Sequence, residues 1–178
     1  YQIIPDMGID RGESYIAWSQ MNQMAAADQI FTAAIVGGTY FIVDGFDPAR
    51  MVEILEGDST LYWLLLVPGT YARFLEFVDE HSDPDEWVDV GVVGALADLL
   101  NPQYVKDITE MTGAEFHNSH GLTEGGWTMS ADLLPIGMVP DKDDIAKREA
   151  QFLELKLIDP DWTEVERGEP GELVVRGP

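Results

Sequence analysis

Cysteine is absent from all 178 residues, so neither a disulfide bond nor a thiolate metal site can form within this sequence. Histidine occurs only three times, and its spacing matches no metal-binding motif. The longest apolar runs, such as residues 61–67, are far shorter than a segment that spans a bilayer. The sequence therefore excludes a disulfide scaffold and a cysteine metal centre, and it predicts no transmembrane helix.

Positive charge is scarce as well. Ten Lys and Arg residues stand against 33 Asp and Glu, which gives a formal net charge of -23, and the acids are spread along the whole chain. A field of this sign repels nucleic acids and anionic membranes, so we expect neither as a partner. Dispersed acid on an ordinary core favours a halophile, a host with high internal salt, because screening removes the self-repulsion. An acidic protein of an ordinary cytoplasm is the alternative.

The remaining composition is that of a folded domain. Hydrophobic residues make up 46% and charged residues 24%, and the length is sufficient for a sizeable core. The sequence opens at Tyr1 rather than Met and stops at Pro178, directly after an apolar run. We therefore expect a central segment of a longer protein with both ends truncated.

Apolar strand-like runs alternate with helix-like segments over the first two thirds of the chain. Predicted strands occupy residues 39–43, 61–67, 88–93 and 115–118, and predicted helices occupy about 24–36, 48–55, 70–78 and 102–111. Asp47 before Pro48 is typical of a helix start, and Gly37 and Gly113 are typical of helix ends. This alternation predicts an α/β fold, a mostly parallel sheet flanked by helices, in which the strand at 39–43 is buried.

The pattern changes after Gly126. Residues 127–150 are loop-like, whereas 151–158 and 171–176 alternate apolar and polar residues. Such alternation predicts antiparallel strands with one solvated face, the start of a smaller antiparallel β subdomain. We expect the α/β part to cover residues 1–130 and the β subdomain to begin in residues 131–178.

The most informative stretch is residues 115–126, which read E-F-H-N-S-H-G-L-T-E-G-G. We expect the strand to break at Gly121 and a loop to present Thr123 and Glu124. A threonine hydroxyl can donate to a phosphate oxygen, and a glutamate can bind a hard cation such as Mg2+. Thr123 and Glu124 are therefore the candidate catalytic residues, with Glu124 as the metal ligand, although a loop of this composition is more often only a turn.

A second glycine-containing loop, residues 94–98, follows the preceding predicted strand. Ligands of open parallel sheets bind beyond the carboxyl ends of the strands. If the two strands are neighbours, residues 94–98 and 120–124 converge on one crevice.

Several motifs together resemble those of the adenylate-forming acyl-CoA synthetases, a family that also includes luciferases and carrier-protein adenylation domains. Residues 120–124 are similar to the family's aromatic-Gly-x-Thr-Glu motif, with His120 in place of the aromatic residue. Residues 171–178 are similar throughout to its Gly-Glu-Leu-x-x-Arg-Gly-Pro motif, and residues 44–48 and 67–69 resemble further landmarks. These motifs occur in the family's order and cover essentially the whole segment, which is identified as the central part of the large N-terminal domain.

The resemblance implies a set of binding residues. ATP would be bound by Gly94, Ala95, Leu96, Asn118, Ser119, His120, Gly121, Leu122 and Thr123. The acyl pocket would be formed by Trp18, Gln23, Pro68, Gly69 and Gly121. Gln23 stands where the family usually has a histidine.

The resemblance also implies an activity: a carboxylic acid, fatty or otherwise apolar, is activated with ATP and Mg2+ to an acyl-adenylate and then transferred to CoA. A carrier-protein-loading adenylation enzyme is an alternative, and a non-catalytic member that binds nucleotide or acyl ligand is another. The family's phosphate loop and catalytic lysine lie outside this segment, so we expect the segment alone to be inactive. A cytoplasmic location is expected, and the sequence does not indicate an oligomeric state.

Overall fold

The structure is a computed structural model that describes residue 4, residues 7–130 and residues 132–177, with Ser130 described in its backbone only. Its main sheet has five parallel strands in the described part of the chain, in the order β2-β1-β3-β4-β5. They are β1 (Ser14–Ala17), β2 (Tyr40–Ile42), β3 (Leu61–Leu64), β4 (Val90–Val93) and β5 (Glu115–Phe116). The predicted parallel α/β sheet is confirmed.

Four described helices connect these strands: α1 (Met24–Val36), α2 (Pro48–Leu55), α3 (Tyr71–His81) and α4 (Pro102–Thr112). Asp47 caps α2 as expected, since its carboxylate accepts from the backbone N–H groups of Ala49 and Arg50. Gly37 ends α1 and Gly113 ends α4, both in the left-handed conformation that glycine adopts without strain. Short 3-10 turns lie at Pro84–Glu86 and Ala97–Leu99.

The sheet has a core on each face because successive strand residues point to opposite sides. Leu64 of β3 packs with buried residues of α2, α3 and α4, among them Leu55, Phe74 and Ile108. Trp63, its neighbour, packs instead in a second cluster that includes Ala33 and Val36 of α1. Helix α1 therefore covers one face of the sheet, and α2, α3 and α4 cover the other.

All four predicted strands are longer than the observed ones, and β4 begins at Val90 rather than at residue 88. Strand β2 is not buried as expected: Ile42 is 71% exposed, because β2 lies at the edge of the sheet in the described residues. Strand β3 ends at Leu64, although the buried run continues through Leu66. Strand β5 has only two residues, and the chain then leaves the parallel sheet.

The C-terminal half forms two antiparallel sheets. One contains β6 (Ser119–Leu122), β7 (Gly126–Ser130) and β8 (Arg148–Glu149), and the other pairs β9 (Glu154–Ile158) with β10 (Glu172–Arg176). The predicted antiparallel strands near 151–158 and 171–176 are confirmed. The loop predicted over 127–150 is wrong at both of its ends, where β7 and β8 lie.

The predicted boundary between residues 130 and 131 stays a prediction, since Ala131 lies outside the described residues. Pro178, the last residue of the predicted motif at 171–178, also lies outside them. Among the described residues, no helix combines the length and apolarity needed to cross a bilayer.

Candidate functional site

The loops that follow β4 and β5 meet at one edge of the sheet, as expected for neighbouring strands. The fully buried side chain of Asn118 joins them, because its Oδ1 accepts from the backbone N–H of Ala97 at 2.9 Å. Its Nδ2 donates to the carbonyl of Ile145 at 3.2 Å, which ties in a third segment. Asn118 therefore fixes the relative position of three loops with one amide group.

Residues 94–96 are held rigidly at the end of β4. Gly94 has a φ of 86°, and its carbonyl accepts from the indole Nε1 of Trp63 at 2.7 Å. Leu96 also has a positive φ, 58°, which is strained for a residue with a side chain. Strain of this kind is often found where a backbone is shaped to contact a ligand.

Residues 119–130 form a β-hairpin rather than the predicted loop. Gly121 does not end a strand, as expected from the sequence, but lies within β6, next to a register irregularity between His120 and Gly121. Thr123 and Glu124 are exposed in the turn between β6 and β7. The hairpin therefore projects the hydroxyl and the carboxylate side by side from a paired and rigid element.

The two faces of this hairpin border two different spaces. The cross-strand pair His120 and Met129 lines an open cleft of about 680 Å³, which we call the hairpin cleft. The next pair, Gly121 and Trp127, faces α1: a Cβ on Gly121 would lie 2.6 Å from the terminal carbon of Met24. Met24 and Trp127 line a small cavity of about 10 Å³ under α1, which we call the α1 cavity.

The hairpin cleft brings together residues that were predicted separately, Leu96 and His120. The hydroxyl of Thr128 donates to the carbonyl of His120, so its oxygen accepts from the imidazole Nδ1, both at 3.0 Å. This arrangement places the proton of the neutral ring on Nδ1 and leaves Nε2 as the acceptor. The volume of the cleft is within the range of small-molecule sites.

One wall of the hairpin cleft was not predicted from the sequence. It comes from residues 142–147 and includes two of the four lysines, Lys142 and Lys147. Lys147 is nearly buried and forms an ion pair with Asp98 across the cleft. The concentration of lysine in so acidic a chain was the available signal, but nothing local indicates that this segment folds back onto residues 96–99.

The residues predicted for the acyl pocket do not line the α1 cavity. Trp18 donates from its indole to the carbonyl of Leu65 at 2.7 Å and packs edge-on against Phe46. Gln23 is exposed at the N-cap of α1, without a side-chain capping bond. Pro68 and Gly69 lie in the turn before α3, and only Gly121 approaches the cavity, through Met24. Their assignment to a substrate pocket stays a prediction.

Thr123 is connected to α1. The backbone N–H of Met24, at the start of the helix, donates to the Thr123 hydroxyl oxygen at 3.4 Å. Because a hydroxyl can accept and donate at once, the proton of Thr123 remains available to an incoming oxygen. The first turn of α1, the hairpin turn and the α1 cavity are therefore contiguous.

The predicted metal site would need ligands beyond Glu124. Within the described ranges, no group of three or more His, Asp or Glu side chains is placed to hold a metal ion. Mg2+ is usually bound by one or two carboxylates together with substrate phosphates, rather than by a complete protein cage. The single exposed carboxylate of Glu124, beside the Thr123 hydroxyl, fits such a shared site.

His117 is the buried titratable group nearest the site. Its ring stacks on Trp127 with centroids 4.8 Å apart, and Nε2 has no hydrogen-bond partner in the described part of the chain. Burial lowers the pKa of His117 from 6.5 to about 4. The imidazole is therefore neutral in the folded protein at physiological pH.

We expect this histidine to make stability depend on pH. Between the two pKa values, the unfolded chain binds a proton on His117 that the folded chain does not bind. The contribution of His117 to the free energy of unfolding is therefore complete above about pH 6.5 and is lost as the pH falls towards about 4. Replacing His117 with Phe should keep the stacking and remove this part of the slope, which denaturant midpoints measured between those pH values would show. Equal slopes in the wild type and in His117→Phe would contradict the prediction.

Comparison with known proteins assigns the chain to a family. Residues 2–178 match the family model described as AMP-binding enzyme. The medium/long-chain-fatty-acid–CoA ligase FadD8 of Mycobacterium tuberculosis is 27% identical over 155 residues, 86% of this chain and 26% of that protein. The 2-hydroxy-7-methoxy-5-methyl-1-naphthoate–CoA ligase of Streptomyces carzinostaticus is 28% identical over 153 residues, which are 81% of this chain and 25% of that protein. This chain spans about a quarter of the length of these curated relatives.

Solved structures agree on the fold. A benzoate CoA ligase from Burkholderia xenovorans superposes with a TM-score of 0.76 at 19% identity, over 98% of this chain and 35% of that one. The O-succinylbenzoate coenzyme A synthetase of Bacillus subtilis, solved with ATP and magnesium ion, superposes with a TM-score of 0.69 at 16% identity. The match covers 98% of this chain and 34% of that one. Together with the motifs at residues 120–124 and 171–177, the family match over nearly the whole chain shows that it belongs to the AMP-binding enzymes, the adenylate-forming family that includes the acyl-CoA ligases.

Proposed function

We propose that the complete protein activates a carboxylic acid with ATP and transfers the acyl group to the thiol of CoA. The observation that carries this proposal is the position of Thr123 and Glu124 at the hairpin turn, between the hairpin cleft on one face and the α1 cavity on the other. The adenine and ribose would lie in the cleft, the acyl group would approach the turn from the α1 side of the hairpin, and the reacting atoms would meet at the turn.

The reaction would proceed in two steps. An oxygen of the acid forms a bond to the α-phosphorus of ATP while the bond to the bridging oxygen breaks, and pyrophosphate leaves. The thiol sulfur then bonds to the acyl carbon, AMP leaves with the electron pair, and the thiol proton passes to solvent. Both steps build negative charge on oxygen, so catalysis depends on charge stabilisation and positioning.

This chain supplies several of the groups that such a reaction needs. Thr123 would donate its free hydroxyl proton to the α-phosphate, and Glu124 would hold Mg2+, which neutralises phosphate charge when bound. The Nε2 of His120 would accept from the nucleotide, and Lys142 would face it from the opposite wall. Leu96 and the buried Asn118 would shape the pocket, the latter through its bonds to two other loops.

The thiol acceptor and the acid are also part of the proposal. Both curated relatives are CoA ligases, one named for a fatty acid and one for a substituted naphthoate, which supports CoA as the acceptor and an apolar acid as the substrate. The fold is shared with the Klebsiella oxytoca NpsA N-terminal subdomain, and NpsA is also solved as an artificially fused adenylation–PCP di-domain, so a carrier-protein acceptor is the second candidate. A cytoplasmic location and a high-salt host remain inferences from the sequence.

Acid-dependent exchange of pyrophosphate into ATP tests the first step in the complete protein. We expect exchange with at least one fatty or aromatic acid from a broad panel, and thioester formation when CoA is added. If the thioester forms only with a phosphopantetheinylated carrier, the thiol acceptor is a carrier protein rather than CoA. Binding of ATP without exchange for any acid would overturn the proposal and indicate a non-catalytic family member.

A further inference from the structure

The hairpin cleft has three walls, and an ion pair joins two of them. The first wall is the segment 96–99 that follows β4, the second is the β6–β7 hairpin, and the third is the segment 142–147. Lys147 of the third wall contacts the carboxylate Oδ2 of Asp98 in the first, a contact that we call the Asp98–Lys147 bridge. Both residues line the cleft, so the bridge lies within the site rather than behind it.

The two partners of the Asp98–Lys147 bridge differ in their exposure to solvent. The side chain of Lys147 is 10% exposed, whereas that of Asp98 is 43% exposed. A nearly buried ammonium group needs an opposite charge beside it, because an unpaired charge in such a position is strongly unfavourable. The carboxylate of Asp98 therefore determines where the Lys147 side chain lies, and without it the ammonium group would move out to water.

The third wall is attached to the rest of the site near its C-terminal end. The turn that begins the wall is closed locally, since the Asp141 carboxylate accepts from two backbone N–H groups within the same turn. Two described polar contacts then tie the wall to the loops after β4 and β5. One is the neutral hydrogen bond from Asn118 to the Ile145 carbonyl, and the other is the Asp98–Lys147 bridge, one residue before β8. The bridge therefore holds the end of the wall that leads back to the hairpin.

We propose that the Asp98–Lys147 bridge positions the third wall for nucleotide binding and so determines the affinity of the protein for ATP. Both residues act through the wall rather than on the reacting phosphates, so they are positioning residues. The apparent affinity for a ligand falls with the fraction of molecules in which its site is formed, so a wall that undocks weakens binding without altering Thr123 or Glu124. This inference rests on the proposed function, in which the nucleotide occupies the hairpin cleft.

Replacing Lys147 with Met in the complete protein removes the charge and keeps most of the side chain. We expect the Kd of ATP, measured by calorimetry, to rise about tenfold or more, as for a wall that is docked in about one molecule in ten. The KM for ATP in the exchange assay should rise in parallel, whereas kcat at saturating ATP should change much less. Lys156→Met is the matched control, since Lys156 pairs with Glu164 away from the hairpin cleft and the variant should keep the wild-type values.

The Asp98→Asn variant separates positioning from simple electrostatics. ATP is an anion, so removing a carboxylate from a chain of net charge -23 should strengthen its binding if charge alone matters. A Lys147 side chain that was released from Asp98 and contacted the phosphates would act in the same direction. If instead the bridge positions the wall, Asp98→Asn should weaken ATP binding by a factor similar to that of Lys147→Met.

Exchanging the two partners tests whether they act as a pair. Asp98→Lys and Lys147→Asp each place two like charges at the contact and should each weaken ATP binding. The double variant restores an opposite pair of the same combined length, so we expect it to bind ATP more tightly than either single variant. A loss of global stability alone would lower the melting temperature and leave the Kd of the folded protein unchanged.

Three outcomes would overturn the inference: an unchanged Kd in Lys147→Met, tighter ATP binding by Asp98→Asn, or a double variant that binds no better than the single ones. If no acid supports exchange in the wild type, the proposed function fails, but the calorimetric series still decides the inference. A wild type that does not bind ATP would contradict both.

Discussion

Replacing Glu124 with Gln in the complete protein is expected to lower the kcat of acid-dependent ATP–pyrophosphate exchange by about a hundred- to a thousand-fold. The substitution keeps the size of the side chain and removes only its charge. Because Glu124 is exposed at the hairpin turn, the change should not disturb packing. The loss would therefore report directly on charge stabilisation at the reacting phosphates.

A magnesium titration distinguishes a metal role from a general electrostatic one. If Glu124 binds Mg2+, the concentration that gives half-maximal exchange should rise in Glu124→Gln, and excess Mg2+ should restore part of the rate. The exposed Glu169→Gln variant carries the same change in net charge away from the turn and should behave as the wild type. Near-normal exchange in Glu124→Gln would contradict the proposed metal role.

Replacing Gly94 with Ala is expected to produce a large loss of stability. An added Cβ would lie 2.1 Å from Cε2 of Phe116, a ring that is fully buried in the core, and the φ of 86° is itself unfavourable for alanine. Overpacking and left-handed strain together should lower the free energy of unfolding by about 2–5 kcal/mol. Denaturant unfolding followed by intrinsic fluorescence measures the loss, and Trp63, which donates to the Gly94 carbonyl, reports on the same place.

Gly113 provides the matched control. It has a φ of 65°, but among the described residues no atom beyond its chain neighbours lies within 4 Å of the position of an added Cβ. Gly113→Ala should therefore show the conformational cost alone, about 1–2 kcal/mol. Equal losses in the two variants would show that the contact with Phe116 relaxes without cost.

The parts of the fold that were predicted correctly depend on local chemistry. The carboxylate of Asp47, the fixed φ of Pro48 and the left-handed Gly37 determine helix ends within a few residues. The hairpin at 119–130 was missed because its pairing depends on partners across a turn and on a register irregularity. Gly121 was interpreted as a strand break, whereas its lack of a side chain allows close approach to Met24.

The candidate site, like the fold, was predicted from the sequence only in part. The convergence of residues 94–98 and 120–124 was predicted because glycines and polar side chains follow two strands, and neighbouring parallel strands bring those ends together. The nucleotide-binding roles of residues 94–96 and 118–123 were implied only by the family resemblance and stay predictions. Lys147 was not predicted, since it pairs with Asp98 across 49 residues of chain.

The β6–β7 hairpin gives the two spaces a common wall, with His120 and Met129 on one side and Gly121 and Trp127 on the other. Residues on opposite sides of a wall can diverge independently, so under the proposed function a change in the preferred acid need not alter the binding of the nucleotide. A directed-evolution library restricted to Trp127 and the inner face of α1 should therefore yield altered selectivity at a preserved affinity for ATP. Under the proposed function, the hairpin that presents Thr123 and Glu124 would also allow selectivity for the acid to change separately from binding of the nucleotide.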